Sequence, residues 1–79
     1  MKYVYVLKSL RYQGQRYVGV TGDLRLRLAQ HNAGASRHTS KFRPWAVETY
    51  VAFSDEKKAE AFEKYLKSGA GWAFLLKRF

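Results

Sequence analysis

The run Tyr3-Val4-Tyr5-Val6-Leu7 constrains this chain more than any other stretch. Successive side chains of a strand point to opposite faces, so Tyr3, Tyr5 and Leu7 take one side and Val4 and Val6 the other. Both sides are apolar, and the run reads as a strand buried on both faces. A second β-branched and aromatic run, Arg16-Tyr17-Val18-Gly19-Val20, follows a turn region over Ser9–Gln15 that contains Gly14. Two such runs across a short gap predict an antiparallel hairpin. Tyr17 and Gly19 share one face of the second strand. Gly19 lacks a side chain there, which marks either a bulge or space kept open beside Tyr17.

Thr21-Gly22-Asp23 reads as a helix start, with Thr21 as the cap and Asp23 in the first turn, where an acid suits the dipole. Leu24 and Leu28 lie four apart on the core face of that helix. Arg27 and His31 repeat the spacing at one margin of the buried stripe, and Arg25 and Ala29 fall on the opposite margin. Asn32-Ala33-Gly34 ends the helix. Ala35 to Pro44 is a polar, basic loop, and its Arg37, His38, Thr39, Ser40, Lys41 and Arg43 are the residue types that contact phosphates. Phe42 and Trp45 either anchor this loop or stack on bases, and anchoring is the favoured role.

Trp45 to Phe53 alternates and predicts a third strand. Ser54-Asp55-Glu56 is a second capped start, followed by an apolar stripe of Ala59, Phe62, Tyr65 and Leu66. Ser68-Gly69-Ala70-Gly71 breaks that helix, and Trp72 to Phe79 makes a last helical turn or two. There are no repeats and no linker. The expectation is one α+β domain over residues 1–79 in ββαβα order: a small three-stranded antiparallel sheet flanked by helices.

Charge narrows the function. Fifteen Lys and Arg against six Asp and Glu give the chain a net charge of +9. A domain this basic is drawn to polyanions, nucleic acid before all others, through counterion release at phosphates. An anionic membrane surface is the weaker rival, because no segment reads as a basic amphipathic helix with a wide apolar face. No apolar run approaches the ~20 residues of a membrane span, and the start lacks the pattern of a signal peptide. The absence of cysteine excludes a disulfide scaffold and a thiolate metal site and fits a reducing compartment. The expected location is cytoplasmic.

Three residues are candidates for chemistry. A free tyrosine titrates at about pH 10, so Tyr17 is a poor base unless nearby cations favour its phenolate. Spacing alone favours a hydrogen-bonded strand tyrosine. Arg27 could stabilise charge on a phosphoryl group, or snorkel at the surface. Glu63 sits beside the apolar stripe of its helix, whereas Glu60 points to solvent. A carboxylate at a core margin can take one coordination site of Mg²⁺, leaving the others to water and phosphate. The plainer role for Glu63 is a helical ion pair with Lys67. His31 and His38 complete no zinc site, and no phosphate-cradling glycine loop is present.

In this order the residues resemble the GIY-YIG nuclease family in its short single-domain form, similar to the nuclease domain of an excision-repair incision subunit. Tyr3-Val4-Tyr5 stands at the first motif, with Tyr3 for the leading Gly and Val4 for Ile. Tyr17-Val18-Gly19 matches the second, with Val for Ile. In the helix Asp23-Leu24-Arg25-Leu26-Arg27-Leu28-Ala29-Gln30-His31-Asn32 the family's key Arg falls on Arg27, and its metal-binding Glu falls on Glu63. Many members also use an Asn late in the domain, whereas the only Asn here is Asn32.

The resemblance implies an endonuclease that depends on one divalent ion, Mg²⁺ or Mn²⁺, and hydrolyses phosphodiester bonds of DNA. Tyr17 would activate the attacking water and Tyr5 would shape the site. Arg27 would stabilise the scissile phosphate, and Glu63 would hold the metal. His31 and His38 would assist protons or bind phosphate, and Arg25, Arg37, Thr39, Ser40, Lys41 and Arg43 would bind nucleic acid. With no appended DNA-binding domain, specificity is expected to be low or lent by a protein partner. Branched, damaged and single-stranded DNA are the expected substrates. A non-catalytic or partner-dependent nucleic-acid-binding module on the same fold is the alternative.

Overall fold

In the computed structural model, which describes residues 1–79, the doubly apolar run lies at the centre of a three-stranded antiparallel sheet. It forms β1 (Lys2–Ser9), flanked by β2 (Arg16–Thr21) on one side and β3 (Trp45–Phe53) on the other. A central strand has neighbours at both edges and helices over both faces, so Val4, Tyr5, Val6 and Leu7 are all buried. Tyr5 pairs with Gly19 in β2 and with Tyr50 in β3. A register shift between Val6 and Leu7 marks a bulge in the β1–β3 ladder.

The two faces carry separate cores. Val4, Val6 and Val18 pack with Ala59, Leu66 and Leu75 from α3 (Glu56–Lys67) and α4 (Gly69–Arg78). Tyr5, Leu7 and Trp45 pack with Tyr17, Leu24, Leu28 and Phe42 under α1 (Leu24–Asn32) and the one-turn α2 (Arg37–Ser40). The element order is therefore ββααβαα, the expected α+β arrangement with two additional helices. No helix is long and apolar enough to cross a membrane.

Local chemistry explains most boundaries. The α1 cap is Asp23, whose carboxylate accepts the Leu26 amide at 3.0 Å. Thr21, the expected cap, instead accepts the Asp23 amide at 3.2 Å and braces the approach to the helix. Asp55 caps α3 by accepting from the Lys57 and Lys58 amides. Ser68 ends α3 and also begins α4, donating to the Tyr65 carbonyl at 2.6 Å and accepting from Gly71. A Cβ on Gly71 would overlap the Tyr65 carbonyl, so this turn closes only around a glycine. The closing segment is thus a ten-residue helix rather than a turn or two. Tyr65, expected in the buried stripe of α3, is 43% exposed; its ring lies at the surface between Phe62 and Phe74 of α4, with ring centres 6.5 and 6.2 Å away.

Candidate active site

The site is built from β1 outward. Across the hairpin from Tyr5 stands Gly19, and a Cβ there would fall onto the Tyr5 hydroxyl and 2.6 Å from its Cζ. The missing side chain therefore makes room for the Tyr5 ring; it does not clear space beside Tyr17. With that room, the Tyr5 hydroxyl reaches His31 Nε2 at 3.0 Å, and His31 Nδ1 meets Thr39 Oγ1 at 2.8 Å. Thr39 Oγ1 has the Ser36 carbonyl in reach as its own acceptor at 3.5 Å. One assignment satisfies every atom: Tyr5 donates to Nε2, the Nδ1 proton goes to Thr39, and Thr39 donates to Ser36. β1, α1 and α2 are tied together through this buried relay.

Burial sets the protonation of both ends. Desolvation, with repulsion from Arg27 second, holds the His31 pKa below the ordinary 6.5, so the ring stays neutral as the relay requires. Burial raises the Tyr5 pKa above 10.0, while the Arg27 guanidinium within reach of the hydroxyl pulls it back. Tyr17 and Glu63 push it up again through their charges. Arg27 is itself held by a 3.0 Å bond to the Gln30 side chain, one turn along α1.

Tyr17 lies over this relay, half-buried, with its ring 5.0 Å from that of His31, 6.4 Å from Tyr5 and 6.1 Å from His38. β2 is an edge strand, so a residue of α3 can reach round it to the same patch. Glu63 does so. Its side chain is 20% exposed, and its carboxylate accepts from Lys67 Nζ at 3.1 Å. The same ammonium stands 5.9 Å from the centre of the Tyr17 ring. The expected ion pair between Glu63 and Lys67 is thus present, and it joins α3 to the tyrosine. Lys67, which periodicity placed only as a partner for Glu63, is the link that reading the sequence missed; nothing in its spacing shows that it meets Tyr17.

The expected nucleic-acid-binding residues divide. Arg25, Arg37, His38, Lys41 and Arg43 are exposed and Ser40 partly so. Thr39 is not available: it is 1% exposed, with its hydroxyl in the relay and its carbonyl accepting Trp45 Nε1 at 2.9 Å. His31 is completely buried with both nitrogens engaged, so it cannot touch a phosphate and acts only by holding Tyr5 and Thr39. Trp45 and Phe42 anchor the basic segment, packing against each other with ring centres 6.3 Å apart. Asn32 is also structural, exchanging two hydrogen bonds with the Trp45 backbone at 2.6 and 3.0 Å.

The donor set suits one kind of metal. No three His, Cys, Asp or Glu side chains cluster, and His31 has no free nitrogen. Glu63 alone offers a partly exposed hard-oxygen ligand, which fits an ion held mainly by water and phosphate, as Mg²⁺ is, and not a tetrahedral zinc site. The cleft of about 470 Å³ between α1 and β3 holds none of Tyr5, Tyr17, Arg27, His31 and Glu63; of the candidate residues only Arg25 lines it.

Residues 1–70 match the family described as the GIY-YIG catalytic domain. A UPF0213 protein of Cupriavidus pinatubonensis is 37% identical over 79 aligned positions, covering 95% of this chain and 86% of its own length.

Proposed function

The chain belongs to the GIY-YIG nuclease family, and from that premise we propose that it is a divalent-metal-dependent endonuclease hydrolysing phosphodiester bonds of DNA. The observation that carries this reading is that Lys67 Nζ stands 3.1 Å from the Glu63 carboxylate of α3 and 5.9 Å from the centre of the Tyr17 ring of β2, beside the Tyr5 hydroxyl whose pKa the Arg27 guanidinium of α1 lowers. Three distant segments bring a base, a cation and a carboxylate to one patch, which a purely structural role for each would not need.

In this reading Tyr17, as its phenolate, takes the proton of the attacking water. Arg27, held by Gln30, neutralises charge building on the phosphoryl oxygens as the 3′ oxygen leaves. Glu63 would hold one Mg²⁺ or Mn²⁺ ion, which would supply Lewis-acid chemistry when bound. Tyr5 and His31 are positioning residues. The exposed Arg25, Arg37, His38, Lys41 and Arg43 draw in the DNA backbone, with little sequence discrimination because phosphate contacts carry none. A protein partner would then supply specificity.

One observation favours a second reading, a binding module that does not cut: Glu63 is already paired with Lys67. The test incubates pure protein with plasmid and with single-stranded DNA, in Mg²⁺, Mn²⁺ or EDTA. Nicking or cleavage in metal and none in EDTA supports the enzyme. Binding with no cutting on either DNA in any metal supports the module instead.

A further inference from the structure

Beside Tyr17, along the free edge of β2, lies a cleft of about 380 Å³ lined by Arg16, Tyr17, Val18, His38, Lys67 and Trp72. Its volume falls in the ~300–1,000 Å³ range of small-molecule sites. We propose that this cleft receives one unpaired nucleobase next to the scissile phosphate, stacked on Trp72, so that the preferred substrate is single-stranded or locally unpaired DNA. The inference rests on the nuclease reading above and adds to it the state of the substrate.

Four features carry it. The cleft shares Tyr17 with the candidate active site, so a group seated in it is joined to a phosphate there by a short length of backbone. Two aromatic rings from different elements line it. Trp72 packs one part of its ring against the core of Val4, Val6 and Val18 and remains partly open. A base can stack on such a ring whatever its identity. β2 is an edge strand, so its outward N–H and C=O groups are unpaired and can meet the polar edge of a base. No carboxylate lines the cleft, and its lining includes Arg16, Lys67 and the exposed His38; Arg16 and Lys67 are paired with Glu48 and Glu63, which a phosphate would have to compete with.

A base inside an intact duplex is stacked and paired, and must be extruded before it can enter such a cleft. That cost is absent in single strands and small at mismatches or damage. The cleft therefore selects against undistorted duplex without reading any sequence.

The test uses the whole protein in EDTA at low salt, with end-labelled 12-mers read by fluorescence anisotropy and by quenching of intrinsic tryptophan emission. Trp45 is only 4% exposed, so quenching reports Trp72. The single-stranded oligonucleotide is expected to quench, and an abasic oligomer of the same length to bind without quenching. Trp72→Leu is expected to weaken single-strand binding by about 5- to 150-fold, the worth of one stacked base, and duplex binding by less than twofold. Anisotropy showing tight single-strand binding with no quenching overturns the cleft while leaving the nuclease reading intact, and that readout stands even if Trp72→Leu fails to fold. Equal losses on single strand and duplex also overturn it. A wild-type protein that binds neither DNA removes the underlying reading together with the cleft.

Discussion

Gly19→Ala is a small change with a large expected consequence. The added methyl would sit 2.6 Å from Tyr5 Cζ and 3.1 Å from Cε1, inside contact distance along one side of the ring. The ring cannot retreat freely: it is 1% exposed, and its hydroxyl is held 3.0 Å from His31. Overpacking of this kind costs about 1–3 kcal/mol. Displacing the hydroxyl leaves His31 Nε2 buried without a partner, another ~1–3 kcal/mol. Against this, Ala in a strand is better than Gly by roughly 0.5–1 kcal/mol. The net loss is about 1–5 kcal/mol, from a total of about 4–12 kcal/mol at the usual stability per residue for 79 residues. Urea unfolding followed by circular dichroism reads the difference as a lower midpoint at unchanged slope. Gly69→Ala, with nothing within 4 Å of the new methyl, is the control and should be neutral or slightly stabilising. A Gly19→Ala protein as stable as the parent would refute the close approach of Tyr5 to β2 and the relay built on it.

Three further outcomes follow from the same geometry. His31 has a folded pKa held below 6.5 by burial and by Arg27. Between those two values the unfolded chain binds a proton that the folded chain does not. Stability should therefore fall as pH drops below about 6.5, by up to ~1.4 kcal/mol per pH unit, levelling once native His31 protonates; urea midpoints from pH 8 to 5 should flatten in His31→Gln, and an unchanged slope would sink the assignment. Lys67→Met removes the ammonium 3.1 Å from Glu63 and should tighten Mn²⁺ binding by about 2- to 5-fold in titrations followed by paramagnetic resonance, whereas an unaltered affinity would place the metal elsewhere. Leu75→Ala, at a residue with no exposed surface that joins α4 to the sheet, should lower stability by about 2–5 kcal/mol in thermal unfolding, and a smaller loss would mean that α4 contributes little to the core.

Sequence patterning sufficed where one physical rule acts alone. The alternating and doubly apolar runs specify strands, Ser54-Asp55-Glu56 marks the start of α3, where Asp55 is the cap, and the four-residue spacing of Leu24 and Leu28 specifies which side of α1 meets the sheet. It failed where two segments distant in the chain meet. His31 looked marginal on its helix because its burial depends on Tyr5 and Thr39 supplying both ring nitrogens with partners. Thr39 looked like a phosphate contact for the same reason: a hydroxyl in a basic stretch carries no sign of which way it faces. Gly19 alone is compatible with a bulge or with space beside Tyr17, and the strand register shows that Tyr5 takes the space. The ten-residue α4 was shortened because Gly69 and Gly71 read as breakers, whereas Gly71 permits the tight α3–α4 turn. At the candidate site, spacing alone left Tyr17 a plain strand tyrosine and Glu63 an ion-pair partner; only the family resemblance singled them out with Arg27, and the connections through Gln30 and Lys67 needed the fold.

The central claim is that Glu63 serves the chemistry and not the docking of DNA. Its most direct test is Glu63→Ala assayed in parallel for plasmid cleavage in Mn²⁺ and for oligonucleotide binding in EDTA. Cleavage is expected to disappear while the binding affinity, carried by the exposed arginines and lysines, stays within about twofold and keeps its steep fall with salt. Cleavage that persists in Glu63→Ala at the parental rate would contradict that claim.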